Sequence, residues 1–444
     1  MDWESLNAAE GGLVLSRWLS LLELACSHTT RLMVVTSTDT TGTLSSSRYT
    51  SSLRDSVSGA MRSAQLEYSG VEMVVVDVEG GDLCAAVSSE LRVWDGELEV
   101  RYRGGSRLVK RYERTAVREA EEGEASLLSS LPSSSLPSSS SEVSGGTFIV
   151  TGGLGGLGLL TAKVLARLGA ERLVLLSRSG KVSYEGQGLE AELAWLQEES
   201  GCEVHVLRCD VSEEASVVSM LGAVRGMGGG ICGIVHAAGV LRDSLIRGGG
   251  ASAGCAAVWS SKARSAWLLH EHTLEDGLKY FVVFSSIASA IGNIGQAAYS
   301  ASNSYLDGLV EHRMQCGHAG AHASIRWPAV SGIGMAAAAA VDVEGISVTP
   351  LEAERILSET FSMGSGVRTI VPPGTKDWLK KGISMQFEGV VFAGAGAGRS
   401  VSSFVRQSSL RPSGGRGSKK PLQPGRSTPE VAQAVRGIVR IVRL

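Results

Sequence analysis

The 444-residue sequence has no C-x-x-C pair, no apolar run of membrane length and no marked excess of either charge. Each absence excludes a class. The seven cysteines (Cys26, Cys84, Cys202, Cys209, Cys232, Cys255 and Cys316) are odd in number and scattered. That pattern fits neither a disulfide framework nor a zinc site, so buried, reduced thiols are expected. A net charge of −3 gives no global pull toward nucleic acid or an anionic membrane. Without a run of roughly 18 apolar residues, no membrane insertion is expected. The opening MDWESLNAAE carries acidic residues and no basic segment leading into an apolar run. No secretory signal is read there, and the expected location is cytoplasmic, or the plastid stroma. What remains, 43% hydrophobic and 20% charged residues, is ordinary for a soluble globular protein, and the length allows two or three folded units.

Composition cuts the chain. Residues 129–141, SSLPSSSLPSSSS, hold too little apolar surface to fold and read as a flexible linker. Residues 248–254, GGGASAG, read as a loop, and residues from 389 to 424, rich in Gly, Ser, Arg and Pro, as a second linker. The expected units are a structural subdomain over 1–125, a linker over 126–145, a main subdomain over 146–388, and a linker with a short helical tail over 389–444. In the first, strand-like runs occupy 31–37 and 71–79 with a helix-like stretch between, and 97–112 reads as two strands around a Gly-Gly turn. In the second, strand-like runs at 147–151, 172–177, 203–210, 233–237, 280–286, 322–327 and 368–372 alternate with helical stretches. One of these is 189–199, with Leu189, Leu193 and Leu196 at helical spacing. Short β-rich apolar runs between helices predict an α/β, doubly wound parallel-sheet Rossmann fold.

Directly after the first of these strands stands Thr151-Gly152-Gly153-Leu154-Gly155-Gly156-Leu157-Gly158. It contains G-x-G-x-x-G, opens a helix, and offers backbone N–H groups and a positive helix end to a pyrophosphate. The second strand ends in Ser177-Arg178, where an acidic residue would hold a ribose hydroxyl. An arginine suits the 2′-phosphate of NADP instead, so NADPH is the expected cofactor. Asp210-Val211, ending the third strand, is placed for the adenine. His236-Ala237-Ala238-Gly239, ending the fourth, lies where a dinucleotide crosses the sheet edge.

The glycine loop with a later Ser and Tyr resembles the short-chain dehydrogenase/reductase superfamily. Residues 281–309, FVVFSSIASAIGNIGQAAYSASNSYLDGL, together with HAAGVLRDSLI at 236–246 and KARSAWLLHEHT at 262–273, resemble the ketoreductase domains of type I polyketide and fatty-acid synthases. The likeness covers 147–372. It extends more weakly over 13–114, which resembles the truncated Rossmann-like structural subdomain of such proteins. Ordinary short-chain reductases carry lysine four residues after the tyrosine; here Asn303 follows Tyr299, and synthase ketoreductases draw the lysine from an earlier helix, where Lys262 stands. The resemblance therefore implies a tetrad of Lys262, Ser286, Tyr299 and Asn303. Tyr299 is the implied proton donor to the carbonyl oxygen. Lys262 favours the tyrosinate, Ser286 orients the carbonyl, and Asn303, one helical turn on, holds Lys262 or a relay water. Ser285 and Tyr305 are neighbouring residues of the same types.

Departures from the family pattern bear on selectivity. Leu241-Arg242-Asp243 keeps only the last aspartate of a Leu-Asp-Asp motif, and Ile291 stands where the opposite stereochemical class has tryptophan. With Gln296, these lean toward the D-type alcohol. Met335, with Ile346 and Leu351, is expected to wall the acyl chain. The implied partners are an acyl carrier domain bearing a phosphopantetheine-tethered β-ketoacyl chain and the neighbouring synthase domains. Residues 429–444 resemble the first helix of such a carrier domain without its serine motif. Two other readings stay open: a freestanding reductase of small ketones, and a non-catalytic structural synthase domain.

Overall fold

The computed structural model describes residues 10–38, 47–110, 112–115, 143, 145–183, 186–338, 347–372, 403–407, 411–412 and 440–443. The N-terminal half runs α1 (Gly11–Ser27), β1 (Arg31–Thr38), α2 (Ser47–Glu67), β2 (Glu72–Glu79), α3 (Leu83–Val93), β3 (Glu99–Arg103) and β4 (Ser106–Val109). Its strands β1, β2 and β3 are parallel, and β4 returns antiparallel after the Gly104-Gly105 turn. β5 (Tyr112–Thr115) follows.

The C-terminal half continues with β6 (Thr147–Thr151), α4 (Gly156–Arg167), β7 (Arg172–Ser177), α5 (Leu189–Glu198), β8 (Glu203–Arg208), α6 (Glu214–Gly226) and β9 (Ile231–His236). Next come α7 (Gly250–Trp259), a π-helical turn (Ser260–Arg264), α8 (Ser265–Glu271), β10 (Tyr280–Ser286), α9 (Ile287–Ile291) and α10 (Ala297–Gln315). After them lie β11 (Ala321–Trp327), β12 (Ala329–Val330), α11 (Gly334–Ala338), β13 (Ser347–Val348), α12 (Pro350–Ser362) and β14 (Gly366–Val371). The tail contributes β15 (Ser403–Gln407), β16 (Arg411–Pro412) and β17 (Arg440–Arg443).

Seven strands form a parallel sheet in the order β8-β7-β6-β9-β10-β11-β14. The order reverses between β6 and β9, and in such folds the crevice at the carboxyl ends of the strands beside that reversal is the ligand site. Strand alternation sorts the apolar residues into two layers. Phe148 and Val150 join Leu173, Leu175, Val282 and Phe284 under α4, α5 and α12, while Ile149 joins Val174, Phe281 and Val283 on the other side. The second layer is continuous with the N-terminal half: Leu32 and Val34 of β1 and Val57, Met61 and Ala64 of α2 belong to the same cluster as Ala301, Tyr305 and Leu309 of α10. Burying each of the larger side chains, such as Leu32, Val57 or Met61, contributes about 1.5–3 kcal/mol. The doubly wound sheet and the smaller Rossmann-like half before it are thus both present.

Three expectations differ from the structure. Residues 248–254 are not simply a loop: α7 starts at Gly250, with Gly249 preceding it at φ 74°. The alanines that follow favour helix, and Gly12 of α1 seats against Ala256 and Trp259, so packing overrides the glycines. Of the tail expected to be helical, the described part, Arg440–Arg443, is a strand parallel to β1. The sheets also exchange strands across the expected boundaries. β5 pairs with β15 at the edge of the large sheet, while β16 and β17 close the two edges of the small one. The serine-rich linker over 129–141 lies outside the described residues. Among the described residues no helix is long and apolar enough to cross a membrane.

Candidate active site

The glycine loop is built for close approach. Gly152 sits at φ 63°, a left-handed conformation, and a Cβ there would meet Ala238 at 3.0 Å. A Cβ on Gly153 would stand 2.7 Å from the Val150 carbonyl, and one on Gly156 would stand 2.5 Å from the Gly334 nitrogen. Around a Cβ at Gly155 only the Gly152 carbonyl lies near among the described residues, at 3.3 Å, so this glycine stands beside open space. α4 begins there with no side-chain cap and no acidic residue in its first turn. Its leading N–H groups and positive dipole end are therefore available to an anion. Leu154 is fully buried beneath the loop, and Leu157 packs at its rim.

At the end of β7, Ser177 accepts the Gly180 N–H at 2.8 Å and Arg178 is exposed. Beside it, paired with Ser177 across the strands, stands Arg208, whose stem packs at 3.0 Å against the position of a Gly180 Cβ. Two guanidinium groups thus share this edge. The sequence alone does not single out Arg208, because only the β7–β8 register brings it to Arg178. Asp210 Oδ1 accepts from Ser212 N–H at 3.0 Å and Ser212 Oγ at 2.7 Å, a local turn that fixes its carboxylate beside the buried Val211.

The fourth strand end is tied to the loop. The Ala237 N–H donates to the Thr151 carbonyl at 3.2 Å, and the Ala238 N–H donates to Thr151 Oγ1 at 3.2 Å. At the same strand end stands His236. It is fully buried, with Nδ1 2.8 Å from Thr151 Oγ1 and Nε2 3.1 Å from the Lys262 carbonyl. A carbonyl only accepts, so Nε2 carries the proton and Thr151 donates to Nδ1. Burial, and next the nearby Lys262 charge, push its pKa down to about 3, so the ring is neutral. The His236 ring therefore links the glycine loop to the lysine's backbone.

Lys262 occupies the π-helical turn between α7 and α8, a distortion that recurs at functional sites. Its side chain is buried, 3% exposed, and Nζ donates to the Phe284 carbonyl at 2.9 Å. β10 pairs with β9 only as far as Val283–His236, so the ammonium takes its place just past that pairing. Gly239 makes room for it: a Cβ there would stand 2.7 Å from Lys262 Cε. Burial pulls the Lys262 pKa down to about 8, partly opposed by Asp307. Nζ lies 5.4 Å from the centroid of the Tyr299 ring.

Tyr299, half-buried on the first turn of α10, and Asn303, fully buried one turn later, share a face, and Asn303 Nδ2 donates to the Tyr299 carbonyl at 2.9 Å. Asn303 Oδ1 is buried and finds no hydrogen-bond partner among the described residues. Ser286 ends β10 and caps α9, accepting the Ala288 N–H at 3.2 Å. That bond uses a lone pair and leaves the hydroxyl proton to donate elsewhere. The capping role and a donor role are therefore compatible. Ser285, by contrast, is 3% exposed and lies 3.1 Å from the Asn303 carbonyl. Tyr305 is fully buried against Trp259, with ring centroids 5.2 Å apart. Lys262 thus lies by the Tyr299 ring and bonds the strand that Ser286 ends, Asn303 bonds the Tyr299 carbonyl, and Ser285 and Tyr305, the neighbours of the same types, are buried in the core.

Of the selectivity residues, Asp243 and Gln296 meet: Gln296 Nε2 donates to Asp243 Oδ2 at 2.7 Å. Ile291 is 1% exposed, packed in the core at the end of α9, and does not face them. Met335 is half-buried on α11, whose Gly334 N–H donates to Gln187 Oε1 at 2.7 Å beside the glycine loop. Leu351 is exposed at the start of α12 and Ile346 lies outside the described residues, so the expected apolar wall is described only at Met335.

With this geometry established, three comparisons bear on it. Residues 146–332 match the family model of the KR domain. The chain is 40% identical over 182 residues to the phenolphthiocerol synthesis polyketide synthase type I Pks15/1 of Mycobacterium marinum; the match covers 41% of this chain and 8% of that protein. It is 40% identical over 172 residues to the polyketide synthase GfsB of Streptomyces halstedii, covering 39% of this chain and 3% of that one. This chain thus spans a small fraction of the curated relatives it matches. Among solved structures it resembles an A1-type ketoreductase (TM-score 0.67, 25% identity, 87% of this chain and 79% of that one). The ketoreductase domain from the bacillaene assembly line shares the fold (TM-score 0.68, 22% identity, 85% of this chain and 86% of that one).

Proposed function

We propose, from the premise that residues 146–332 are a KR domain of the polyketide-synthase kind, an oxidoreductase of short-chain dehydrogenase/reductase type, that this chain uses NADPH to reduce a β-ketoacyl thioester, carried on an acyl carrier domain, to the β-hydroxyacyl thioester. The observation that carries the reading is the buried Lys262 ammonium 5.4 Å from the Tyr299 ring, behind a glycine loop with an uncapped helix end.

The residues fit the cofactor. Gly155 leaves space for a pyrophosphate on the α4 N–H groups, and Arg178 with Arg208 suits a 2′-phosphate. When bound, NADPH supplies hydride to the carbonyl carbon. The chain's own residues handle the charge that develops on oxygen. Ser286 donates a hydrogen bond to that oxygen and orients it. Tyr299 gives it the proton. A phenol of ordinary pKa near 10 is a slow acid–base group at neutral pH, and a positive charge beside it stabilises its anion. Lys262 supplies that charge, held still by the Phe284 carbonyl on Nζ and by His236 on its backbone. Asn303 Oδ1, buried and without a partner among the described residues, is the acceptor that would hold a water returning the proton.

The test follows NADPH absorbance with a β-ketoacyl thioester. Wild type should turn over, and Tyr299→Phe should slow about 10²–10⁴-fold with NADPH binding intact. Equal rates would remove the mechanism. NADPH binding without turnover in wild type would favour a structural synthase domain.

A further inference from the structure

The N-terminal half carries no glycine loop, yet its helix α2 lies directly on α10, the helix of Tyr299. Small residues allow the approach: a Cβ on Gly59 would clash with Ser304 Oγ and stand 2.6 Å from the Ser300 carbonyl, and one on Gly308 would stand 2.9 Å from Ser52 Cα. α2 ends in Glu67. A carboxylate in the last turn of a helix opposes the dipole, so this position breaks a local rule and requires compensation from elsewhere.

The compensation comes from two loops of the other half. Glu67 Oε1 accepts the Gly295 N–H at 3.0 Å, and Oε2 accepts the Ile246 N–H at 2.8 Å. One segment, 240–249, joins β9 to α7; the other, 292–296, leads into Tyr299. They are further joined by the Ser244 N–H on the Gly295 carbonyl at 2.7 Å and by Gln296 on Asp243. Neighbours of Glu67 hold the same segments. Ser63 Oγ accepts the Asn293 N–H at 3.1 Å, and the Arg247 guanidinium lies over the Tyr68 ring at 5.0 Å. From α1, Glu23 accepts the Gly248 N–H at 2.6 Å. Each clamped segment presents an exposed apolar side chain, Leu245 at 47% and Ile294 at 58%.

We infer that Glu67 is a specificity-determining positioning residue: its carboxylate, supplied by the half without a nucleotide loop, sets the spacing of the 240–249 and 292–296 segments, and so the direction from which an acyl chain reaches Tyr299. This rests on the reductase reading above. Glu67 touches neither the tetrad nor the glycine loop. Its loss therefore loosens the placement of the acyl substrate and leaves the cofactor site and the proton donor in place.

The experiment uses the full chain with NADPH and a short β-ketoacyl thioester, comparing wild type, Glu67→Ala and Glu67→Gln. Losing two charge-assisted hydrogen bonds should raise KM for the thioester about tenfold in Glu67→Ala and erode the ratio of the two alcohol enantiomers, with KM for NADPH unchanged. Glu67→Gln keeps the shape and one acceptor oxygen, folds as wild type, and should fall between. Hydrogen–deuterium exchange reads the same clamp without activity. Segments 240–249 and 292–296 should exchange faster in Glu67→Ala, while β9 and β10 stay protected. An unchanged enantiomer ratio and thioester KM in an active enzyme would overturn the inference alone, as would unchanged exchange. A wild type that binds NADPH but never reduces the thioester would overturn the reductase reading, leaving the exchange result to judge the clamp.

Discussion

In the N-terminal half, three buried or nearly buried carboxylates are met by opposite charges, as Asp307 is by Arg326 in the C-terminal half. Asp77 lies between Arg54 at 3.0 Å and Arg101 at 2.7 Å, Glu99 between Arg62 at 2.5 Å and Lys110 at 3.4 Å, and Glu90 meets Arg107 at 2.5 Å. In the C-terminal half, the buried Lys262 ammonium instead donates to a neutral carbonyl. The pKa directions follow. Asp77 and Glu99 sit below the usual carboxylate range despite the upward pull of burial, because their arginines outweigh it; Lys262 is pulled down to about 8 because nothing outweighs its burial. Charge neutralised in pairs braces a fold. A buried charge left near neutrality, beside a phenol, is poised to act.

The contrast breaks most visibly at its two poles. Lys262→Met should lower turnover about a thousandfold, as expected for loss of an acid–base partner, while the melting temperature holds or rises because an uncompensated buried charge is gone. Glu99→Ala should do the opposite. It strands Arg62 and should cost about 3–5 kcal/mol in denaturant unfolding, with kcat per folded molecule retained. If both variants lost stability and activity together, the two halves would not divide the work in this way.

A smaller effect is expected at the β7–β8 edge. Arg178→Ala and Arg208→Ala should each raise KM for NADPH about tenfold and leave KM for NADH unchanged, since only the phosphorylated ribose needs a second cation. Equal losses with both cofactors would assign these arginines to structure.

The pH profile sharpens the contrast most finely. As pH rises through about 8, Lys262 loses its proton and Tyr299 is no longer supported as a donor, so kcat/KM for reduction should fall. Because the two groups are coupled, the limb belongs to the pair. Lys262→Arg keeps its charge and should move any residual limb to higher pH. The stability sign follows from the same group. A lysine whose folded pKa lies below its free value of 10.5 destabilises the fold below about pH 8, and that penalty is relieved as pH rises from 8 toward 10.5.

Local pattern makes much of this readable. The seven parallel strands of the large sheet are visible because each is a short apolar run bounded by breakers, and the glycine loop because its spacing serves one backbone geometry. The tetrad is legible only through family resemblance, since Lys262 lies 37 positions before Tyr299 in the numbering and no spacing rule joins them. What stays hidden depends on register and packing. Arg208 becomes a partner of Arg178 only when β8 lies beside β7. The inward turn of the His236 ring onto the Lys262 carbonyl is likewise set by packing. Glu67, at a helix end remote in sequence from every motif, has meaning only once α2 lies on α10. The π-helical turn under Lys262 has no signature in WSSKARS, and the strand at 440–443 is obscured by apolar spacing that also fits a helix.

Isotope transfer reads directly whether one site both delivers hydride and supplies the proton. The chain would be incubated with NADPH deuterated at the transferring position and a β-ketoacyl thioester, and the product analysed by mass spectrometry. One deuterium on the β-carbon in wild type, and almost none with Tyr299→Phe, is the predicted result. Unlabelled alcohol from wild type, or equal labelling by the variant, would contradict it.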